Sequence, residues 1–415
     1  MTPSPGCTMT ARRLLFVFHW LVVGGEETEV RLLARHLRPD WSVDVVVCHR
    51  RPGMPRQTHD QLTGDGVPVD TTAYGLPDEQ VVAHLASIIP AYDVVLACQA
   101  VPFVHPALRR LARRPPLVEH GGLVSEALAG PKDLTDRYVG VCAAIRDAAA
   151  GRMPDRPQDA LEIPSMVDLA EFDPTDRAAV RREWDVADGV PVVGWVGRLD
   201  RKKRVEDVLA AAALLARRRP EARWVVVGGP NFFYPEHETV LHDLADRLGL
   251  GNRVRFLGDR PDVPRLLAGM DALVWLSEGE GMPHVLAEAG AAALPVVVTR
   301  DNGSEQQVID GQSGLFVPKR DPAAVADALV RLIDDPRLRR RLGQDLRRTV
   351  EDRYAVDVVI PQWRALLDKL VAHDGAVRRW SKRQDGDSSM PAPVECSGND
   401  PAGSPRGAPN PNRPV

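Results

Sequence analysis

The sequence is poor in cysteine, and the few cysteines form no pattern. They lie far apart, with no C-x-x-C pair among them: Cys7, Cys48, Cys98, Cys142 and Cys396. This spacing fits neither a metal-ligand set nor a disulfide-stapled domain. We therefore expect reduced thiols, as in a cytoplasmic protein.

The sequence also lacks a charge excess and a long apolar run. A net charge of −4 over 415 residues gives no reason to expect nucleic acid or an anionic membrane as an overall electrostatic partner. LLFVFHWLVV, after Arg12-Arg13, resembles the apolar part of a signal peptide. However, His19 interrupts it, no small-residue cleavage site follows, and it is too short to span a bilayer. We expect a cytoplasmic protein with at most peripheral membrane contact.

What the sequence does contain is a repeated alternation of short apolar runs with amphipathic segments. The first series predicts strands at Leu14–Phe18, Val43–Cys48, Val94–Cys98, Leu117–Glu119 and Tyr138–Cys142, and helices at Glu26–Leu37, Asp78–Ile88 and Pro106–Ala112. The second predicts strands at Val192–Val196, Arg223–Gly228, Val254–Leu257, Ala272–Leu276 and Val296–Thr299, and helices at Arg204–Arg218, Glu236–Leu248 and Pro283–Ala293. Strands that alternate with helices indicate an α/β protein, in which helices cover both faces of parallel sheets.

The length of the chain and the two series together predict two domains. We place the first domain at residues 1–173 and the second at 174–355, because IPSMVDLAEFDP (163–174) is rich in loop residues. A further amphipathic segment predicts a C-terminal helix at 356–373. The remaining 374–415 include SGNDPAGSPRGAPNPNRPV, which has too little apolar surface to order itself, so we expect a disordered tail.

The second series contains a stretch with a distinctive chemistry, from Asp271 to Pro318. A buried strand is followed by a loop with two glycines and two glutamates, and then by a helix that we expect to begin at Pro283. This arrangement turns backbone N–H groups and the positive end of a helix toward whatever occupies the loop, so an anion such as phosphate is favoured. The presence of two acids, Glu280 in the loop and Glu288 on the helix, needs a further explanation, because an unpaired carboxylate beside apolar residues is costly.

The segment EGMPHVLAE, from Glu280 to Glu288, resembles the E-x7-E signature of retaining glycosyltransferases of family 4, and DGQSGLFVP (310–318) is similar to that family as well. The resemblance implies the GT-B fold: two Rossmann-like, doubly wound parallel-sheet domains face a central cleft, and the helix at 356–373 returns to the first domain. It also implies that Glu280 holds hydroxyls of the donor sugar and that Glu288 holds the nucleotide ribose. Further donor contacts are then expected from the adjacent residues Gly281, Met282, Pro283, His284 and Val285.

Two cations follow the first strand of the second series. In VVGWVGRLDRKKRVEDVL (192–209), Arg198 leaves the strand and Lys203 precedes the next helix. Two cations in one cleft suit a diphosphate, with arginine as a bidentate donor and lysine as a point charge. The segment resembles the G-R-x4-K element in which family members bind the donor's pyrophosphate. The alternative interpretation is a basic turn that faces solvent. Because Lys202 and Lys203 are neighbours, either could point into the cleft, and the spacing of the family element favours Lys203.

Two glycines open the first helix of the chain. Gly24 and Gly25 allow a ligand to approach the backbone closely, and the helix start favours a phosphate or a polar substrate. The family usually carries a G-G-x-E element here, with Glu27 as its acid. The alternative is a tight turn between strand and helix.

Three other positions are weaker candidates. His120 ends a strand before two glycines, and in this fold a histidine in that loop commonly contacts the sugar or the acceptor, although a lone histidine is most often structural. Gly228 and Gly258 lie at strand ends of the second domain, where the family typically lines its nucleobase pocket.

These features predict a retaining glycosyltransferase that moves a sugar from a UDP- or GDP-linked donor to an acceptor hydroxyl. Many glycosyltransferases of another fold hold a divalent cation through D-x-D, but the only D-x-D lies at 385–387, in the predicted tail. We therefore expect no metal and no other cofactor, with Arg198, Lys203 and helix dipoles stabilising the leaving phosphate. A saccharide, a lipid-linked glycan and a secondary metabolite all remain open as acceptors.

Three alternative functions remain open. A nucleotide-sugar epimerase can share the double-sheet fold, and a phosphorylase of the same architecture would need a lysine that carries pyridoxal phosphate. A non-catalytic partner that binds nucleotide and regulates a transferase is the third. The four residues Glu280, Glu288, Arg198 and Lys203 argue against this last function.

Overall fold

The apolar runs of the first series form a seven-stranded parallel sheet in the computed structural model, which describes residues 11–374. In chain order its strands are β1 Arg12–Phe18, β2 Trp41–Val47, β3 Val69–Asp70, β4 Val94–Cys98, β5 Leu117–Gly121, β6 Arg137–Gly140 and β7 Ala160–Glu162. They lie side by side in the order β3-β2-β1-β4-β5-β6-β7. Every residue of β4 and β5 is buried, as expected for strands covered by helices on both faces.

Six helices accompany this sheet, and the longer ones bury one apolar face against it. They are α1 Gly25–His36, α2 Gln57–Gly64, α3 Asp78–Ile88, α4 Val101–Arg109, α5 Val124–Leu128 and α6 Ala143–Gly151. In α1 the buried apolar residues Val30, Leu32 and Leu33 pack into the same core as Leu14 and Phe16 of β1. α1 and β1 therefore share one hydrophobic core on this face of the sheet.

The second series forms a six-stranded parallel sheet with the order β10-β9-β8-β11-β12-β13. Its strands are β8 Val192–Val196, β9 Arg223–Val227, β10 Val254–Phe256, β11 Ala272–Trp275, β12 Val296–Thr299 and β13 Leu315–Val317. Its helices are α7 Arg177–Glu183, α8 Val205–Arg218, α9 Glu236–Arg247, α10 Val263–Ala268, α11 His284–Ala291, α12 Asn302–Gln307, α13 Pro322–Asp334 and α14 Pro336–Arg353. The fold is thus the predicted pair of Rossmann-like domains.

The last described helix, α15 Val356–Asp374, packs on the first sheet although it follows the second. Its residues Val359, Trp363 and Leu367 are fully buried in the core that also contains Leu14 and Phe16. The domain boundaries at 173 and 355 stay predictions, and the predicted tail after residue 374 lies outside the described residues. No helix among those described is long and apolar enough to cross a membrane.

Two of the helix starts that differ from the prediction involve prolines. The helix predicted at Pro106–Ala112 is α4, which begins at Val101, so that Pro106 lies inside it and Pro102 occupies the first turn. Proline is favoured in a first turn, and here that position belongs to Pro102. Pro283 has an extended conformation (ψ 114°) and is the N-cap of α11, which begins at His284.

Strand order locates the sites where a ligand can bind. In each sheet the order changes direction between two neighbouring central strands, which are β1 and β4 in the first sheet and β8 and β11 in the second. Open parallel sheets bind ligands beyond the carboxyl ends of strands at such a switch point. The loops after β8 and β11 carry Arg198, Lys203 and Glu280, and the loop after β1 carries Gly24.

Candidate active site

A cavity of about 770 Å³ opens at these switch points, which is within the usual range for small-molecule sites. Residues between 20 and 172 form one side, here called the first-domain wall, and residues between 196 and 288 form the other, the second-domain wall. Most of the predicted site residues line it: Gly24, Gly25, Arg198, Lys203, Gly228, Glu280, Gly281, Met282, Pro283, His284, Val285 and Glu288. His120 and Gly258 do not.

Glu280 is held from three directions. Its Oε1 accepts hydrogen bonds from Lys203 Nζ at 2.8 Å and from Ser277 Oγ at 2.7 Å. Its backbone N–H donates to Asp301 Oδ2 at 2.8 Å. Because both the side chain and the backbone are fixed, this carboxylate is preorganised and does not have to be ordered when a substrate binds.

Burial alone would raise the pKa of Glu280. The charges of Lys203 and Lys202 and the hydrogen bonds from Lys203 and Ser277 outweigh this effect, and the pKa lies below its ordinary value. Glu280 is therefore an ionised hydrogen-bond acceptor rather than a proton donor. Such a group is suited to holding sugar hydroxyls.

The two lysines before α8 differ in their surroundings. The side chain of Lys203 is 11% exposed and that of Lys202 is 35% exposed. Lys203 Nζ also lies 4.6 Å from the centroid of the Trp275 ring, a cation–π contact. Burial lowers the pKa of Lys203, and the neighbouring Glu280 opposes this shift. Both lysines line the cavity, and Lys203 is the more buried of the two.

Arg198 is half-buried at the cavity, and its side chain has no hydrogen-bond or ion-pair partner within residues 11–374. Beside it, Gly228 has a φ of 132°, and a Cβ there would lie 1.8 Å from the carbonyl oxygen of Gly197. Glycine at 228 therefore lets the ends of β8 and β9 approach closely. The guanidinium of Arg198 remains available for a ligand.

The N-terminus of α11 completes this wall. Its first residues His284 and Val285 line the cavity, and the leading N–H groups of a helix have no acceptor within it. The helix begins with His-Val-Leu-Ala, so no acid neutralises its positive end. Together with Arg198 and Lys203, it makes this side of the cavity suited to an anion.

Glu288 and His284 lie on the same helix and have shifted pKa values. Burial raises the pKa of Glu288 to about 7; the charge of Glu171 adds to this and that of Arg31 opposes it. Burial lowers the pKa of His284 to about 4, and neither ring nitrogen has a hydrogen-bond partner among the described residues. His284 is therefore neutral at pH 7.

The two walls touch at glycines. A Cβ on Gly25 would lie 2.6 Å from Cδ2 of His284, and a Cβ on Gly281 would lie 2.0 Å from the carbonyl oxygen of Gly122. Any larger residue at either position would push the walls apart. These glycines thus set the width of the cavity, a function that the sequence pattern did not indicate.

His120 lies one layer behind the first-domain wall. Its Nδ1 is 3.4 Å from Glu26 Oε1, its Nε2 is 3.5 Å from Glu29 Oε2, and its ring packs on Trp363. Burial would lower its pKa, but the charges of Glu29 and Glu26 outweigh burial and raise it to about 9. Its contact with sugar or acceptor stays a prediction, and in this geometry Glu26 stands between His120 and the cavity.

Gly258 supports the site from outside it. Its carbonyl oxygen accepts a hydrogen bond of 2.8 Å from the N–H of Gly228. Its φ of 66° lies in the region that favours glycine. Gly228 lines the cavity and Gly258 does not, and the contact of either glycine with a nucleobase stays a prediction.

The sequence pattern did not single out most of the first-domain wall. Besides Asp168 and Glu171, four glutamates of α1 and α5 line the cavity there: Glu26, Glu27, Glu29 and Glu126. Only Glu27 belongs to a recognised element. Acids in the first turn of a helix usually face solvent and complement the dipole, so GGEETE gave no signal that its acids are buried.

One group of side chains near this wall has the composition of a metal site. Ligand atoms of Glu26, Cys98 and His120 lie within 4.8 Å of one another. A metal would require Cys98 and His120 to be deprotonated. However, burial and nearby carboxylates raise the pKa of Cys98 well above its ordinary value, and the charges of Glu29 and Glu26 raise the pKa of His120. The arrangement is better suited to an ion pair.

The chain is similar to known proteins. Residues 176–349 match the family model "Glycosyl transferases group 1". The chain is 36% identical over 200 residues to D-inositol 3-phosphate glycosyltransferase of Corynebacterium urealyticum, covering 46% of this chain and 47% of the relative. It is 27% identical over 218 residues to N-acetyl-alpha-D-glucosaminyl L-malate synthase of Bacillus anthracis, covering 52% and 55%. The chain thus spans about half the length of the curated relatives it matches.

Similarity to solved structures extends over both domains. HepE of Anabaena, in complex with UDP and glucose, superposes with a TM-score of 0.76 at 22% identity, covering 86% of this chain and 99% of that chain. Sucrose-phosphate synthase of Thermosynechococcus elongatus superposes with a TM-score of 0.68 at 21% identity, covering 87% and 100%. The chain therefore has the GT-B fold, and residues 176–349 are similar to glycosyl transferases group 1.

Proposed function

We propose that this protein is a retaining, metal-independent glycosyltransferase that uses a nucleotide-diphosphate sugar and an acceptor hydroxyl. The observation that carries the proposal is the second-domain wall. There an unpaired guanidinium, a buried lysine and an acid-free helix N-terminus face one cavity, next to a fixed carboxylate. In a diphosphate attached to a sugar, the diphosphate matches the cations and the helix N-terminus, and the sugar hydroxyls match the carboxylate.

The residues of this wall have separate functions in the proposal. Arg198, Lys203 and the N–H groups of α11 neutralise charge that develops on the β-phosphate as the donor bond breaks. Glu280 orients the sugar through its hydroxyls, and Glu288 holds the ribose. The acceptor oxygen bonds to the anomeric carbon on the side from which the diphosphate leaves, and the diphosphate takes the acceptor's proton. This front-face step rests on the resemblance to family 4.

Relatives guide the choice of donor for testing. HepE was solved with UDP, with UDP-glucose and with UDP and glucose, so UDP-sugars are tested before GDP-sugars. The acceptors that two relatives are named for, inositol 3-phosphate and malate, are anions. We do not assign either to this chain, because its first-domain wall carries five glutamates.

The test of the proposed function begins with a thermal-shift panel of UDP, GDP and their sugars, which identifies the donor. Transfer is then followed by NMR, which reports the anomeric configuration of the product. We expect the configuration of the donor to be kept and turnover to be unchanged by EDTA. An inverted product would overturn the retaining mechanism, and loss of turnover in EDTA would overturn metal independence.

The same experiment separates the alternatives. A nucleotide-sugar epimerase would convert the donor to an epimer without any acceptor, whereas a transferase would leave it intact or hydrolyse it slowly. A phosphorylase would show the absorbance of pyridoxal phosphate. A non-catalytic partner would bind the nucleotide without turnover of any donor. A cytoplasmic location stays a prediction that fractionation of the producing cells tests.

A further inference from the structure

The first-domain wall has a charge that the donor does not need. Glu26, Glu27, Glu29 and Glu126 face the cavity or lie at its edge. They are close enough that the charge of Glu26 raises the pKa of each of the other three. Four carboxylates repel one another unless a cation lies among them.

The protein supplies only part of the required positive charge. Of the residues on this wall, Arg31 is the one basic side chain that lines the cavity, and both of its terminal nitrogens are bound to Glu171 at 2.8 and 3.0 Å. His120 approaches Glu26 and Glu29 from behind. Gln99 also donates to Glu26, and backbone N–H groups donate to Glu27 and Glu126, but these donors are neutral. Among the described residues, His120 is the only cation within ion-pairing distance of the four acids.

One carboxylate of this group is buried and incompletely satisfied. Glu29 is 2% exposed and lines the cavity, and its Oε1 has no hydrogen-bond partner among the described residues. The Nε2 of His120 also lacks a hydrogen bond. Buried polar groups in native proteins are almost always satisfied, so an unpaired carboxylate oxygen beside a cavity indicates that a ligand supplies the donor.

Aromatic rings line the same cavity. They are Trp20 of the first-domain wall and Phe232 and Phe233 of the other wall. The guanidinium of Arg51 lies 5.0 Å from the Trp20 ring and 5.3 Å from the Phe233 ring. The protein therefore supplies the cation for these two rings itself, and the case for a cationic ligand rests on the carboxylates.

We propose that the first-domain wall binds the acceptor through a protonated amine, so that the acceptor is a hydroxyl-bearing ring with a positively charged amino group, such as an amino sugar or an aminocyclitol. The ammonium donates to Glu29 and its neighbours, and a ring hydroxyl is presented to the donor. Glu27 is near enough to Arg198 for the arginine's charge to lower its pKa, so the two ligands lie side by side in one cavity.

This inference rests on the proposed function. In the transfer step the acceptor hydroxyl oxygen bonds to the anomeric carbon, the bond from that carbon to the β-phosphate oxygen breaks, and the hydroxyl proton goes to the departing diphosphate. The amine takes no part in this exchange, remains protonated, and serves only to hold the acceptor. Its contribution therefore appears in acceptor binding.

The experiment is a calorimetric titration of the full chain saturated with UDP, at pH 6.5 in EDTA. Matched pairs are compared: glucosamine against glucose and N-acetylglucosamine, and 2-deoxystreptamine against scyllo-inositol. A cyclitol phosphate is the anionic control. We expect at least one amine to bind at least tenfold more tightly than its neutral partner, because hydrogen bonds between charged groups are stronger, and the phosphate to bind most weakly.

Variants connect the preference to this wall. Glu29→Gln keeps the shape of the side chain and removes its charge, so we expect amine binding to weaken about tenfold while binding of the neutral partner changes little. Glu221→Gln is the matched control, since Glu221 is exposed and precedes β9 at the end of the sheet away from the cavity. UDP binding in each variant shows that the protein is folded.

The outcomes separate this inference from the proposed function. If UDP and its sugars do not bind, the proposed function fails. If UDP binds but no amine is preferred over its neutral partner, or Glu29→Gln keeps the full preference, only the acceptor inference is overturned. Tight binding of Mg²⁺ or Zn²⁺ in a titration without EDTA, together with no amine preference, would overturn it in favour of a metal.

Discussion

The two walls of the cavity have the same backbone arrangement but differ in charge. In each, a strand at the switch point leads through a glycine loop into a helix whose N-terminus meets the cavity. α11 begins with His-Val-Leu-Ala and carries no acid there, whereas the first turn of α1 contains Glu26 and Glu27. A helix N-terminus is an anion site only where the sequence leaves it free of its own acids.

The walls also differ in how their charges are compensated. In the second-domain wall Glu280 is paired with Lys203, and its pKa is lowered. In the first-domain wall burial raises the pKa values of Glu27, Glu29 and Glu126 to about 7. Paired charges indicate a site that is preorganised for its ligand, and uncompensated ones indicate a site whose ligand supplies the missing charge.

The largest effect is expected at Glu280, which orients the donor sugar. Glu280→Gln keeps an acceptor for Ser277 but removes the charge that fixes Lys203 and the sugar hydroxyls. We expect turnover of the donor to fall by about 100-fold or more, with UDP affinity nearly intact, since UDP has no sugar for Glu280 to hold. Unchanged turnover in steady-state assays would remove Glu280 from the mechanism.

The next effect separates the two lysines. Lys203→Met leaves Glu280 without its closest buried partner, and breaking a buried ion pair from one side costs about 3–5 kcal/mol. Lys202 is more exposed and lies 3.6 Å from Glu280, so Lys202→Met is expected to cost less than about 1 kcal/mol. Urea denaturation of both variants measures the difference. Equal losses in the free energy of unfolding would show that the greater burial of Lys203 does not make its ion pair with Glu280 more important.

The smallest effect is a pH dependence that comes from the first-domain wall. Glu29 has a pKa of about 7 in the folded protein against an ordinary value of 4.5, so between these values the folded state holds a proton that the unfolded state has lost. Its ionisation therefore lowers the free energy of unfolding as pH rises from about 4.5 to 7. Glu29→Gln should stabilise the ligand-free protein at pH 8 by about 1–3 kcal/mol and much less at pH 5.

The control for this pH effect is the group that faces Glu29. His120 has a pKa raised to about 9 from 6.5, so its contribution to stability is fully present below 6.5 and is lost as pH rises through 9. Because it acts in the same direction as Glu29, the variant is compared with the wild-type protein at each pH. Equal destabilisation by Glu29→Gln at pH 5 and pH 8 would show that Glu29 is adequately paired by His120.

The same comparison explains how much the sequence could predict. The residues of the second-domain wall that were predicted come mostly from two short segments, 198–203 and 280–288, whose spacing and resemblance indicated them. Residues 259–265 line the same wall and were not predicted. The two sheets followed from the alternation of apolar runs, although the two- and three-residue strands β3, β7 and β13 were too short to be recognised. In these places local sequence carried most of the information.

The first-domain wall depends on contacts that are distant in sequence. Glu29 is buried because α15, more than three hundred residues later, places Trp363 against His120 behind it. Glu126 comes from another loop, and nothing around it in the sequence distinguishes it from a surface acid. His120 was expected at the cavity because it ends a strand, but its neighbours on α1 stand in front of it.

The most direct test of the account is the affinity for UDP, measured by calorimetry in Arg198→Ala and in Glu29→Gln. Arg198 has no hydrogen-bond or ion-pair partner within residues 11–374, so its loss should weaken UDP binding by tenfold or more without lowering the melting temperature. Glu29→Gln should change UDP affinity by less than about twofold. If UDP binds Arg198→Ala as tightly as it binds the wild-type protein, or if Glu29→Gln loses UDP, the assignment of the donor diphosphate to the second-domain wall is contradicted.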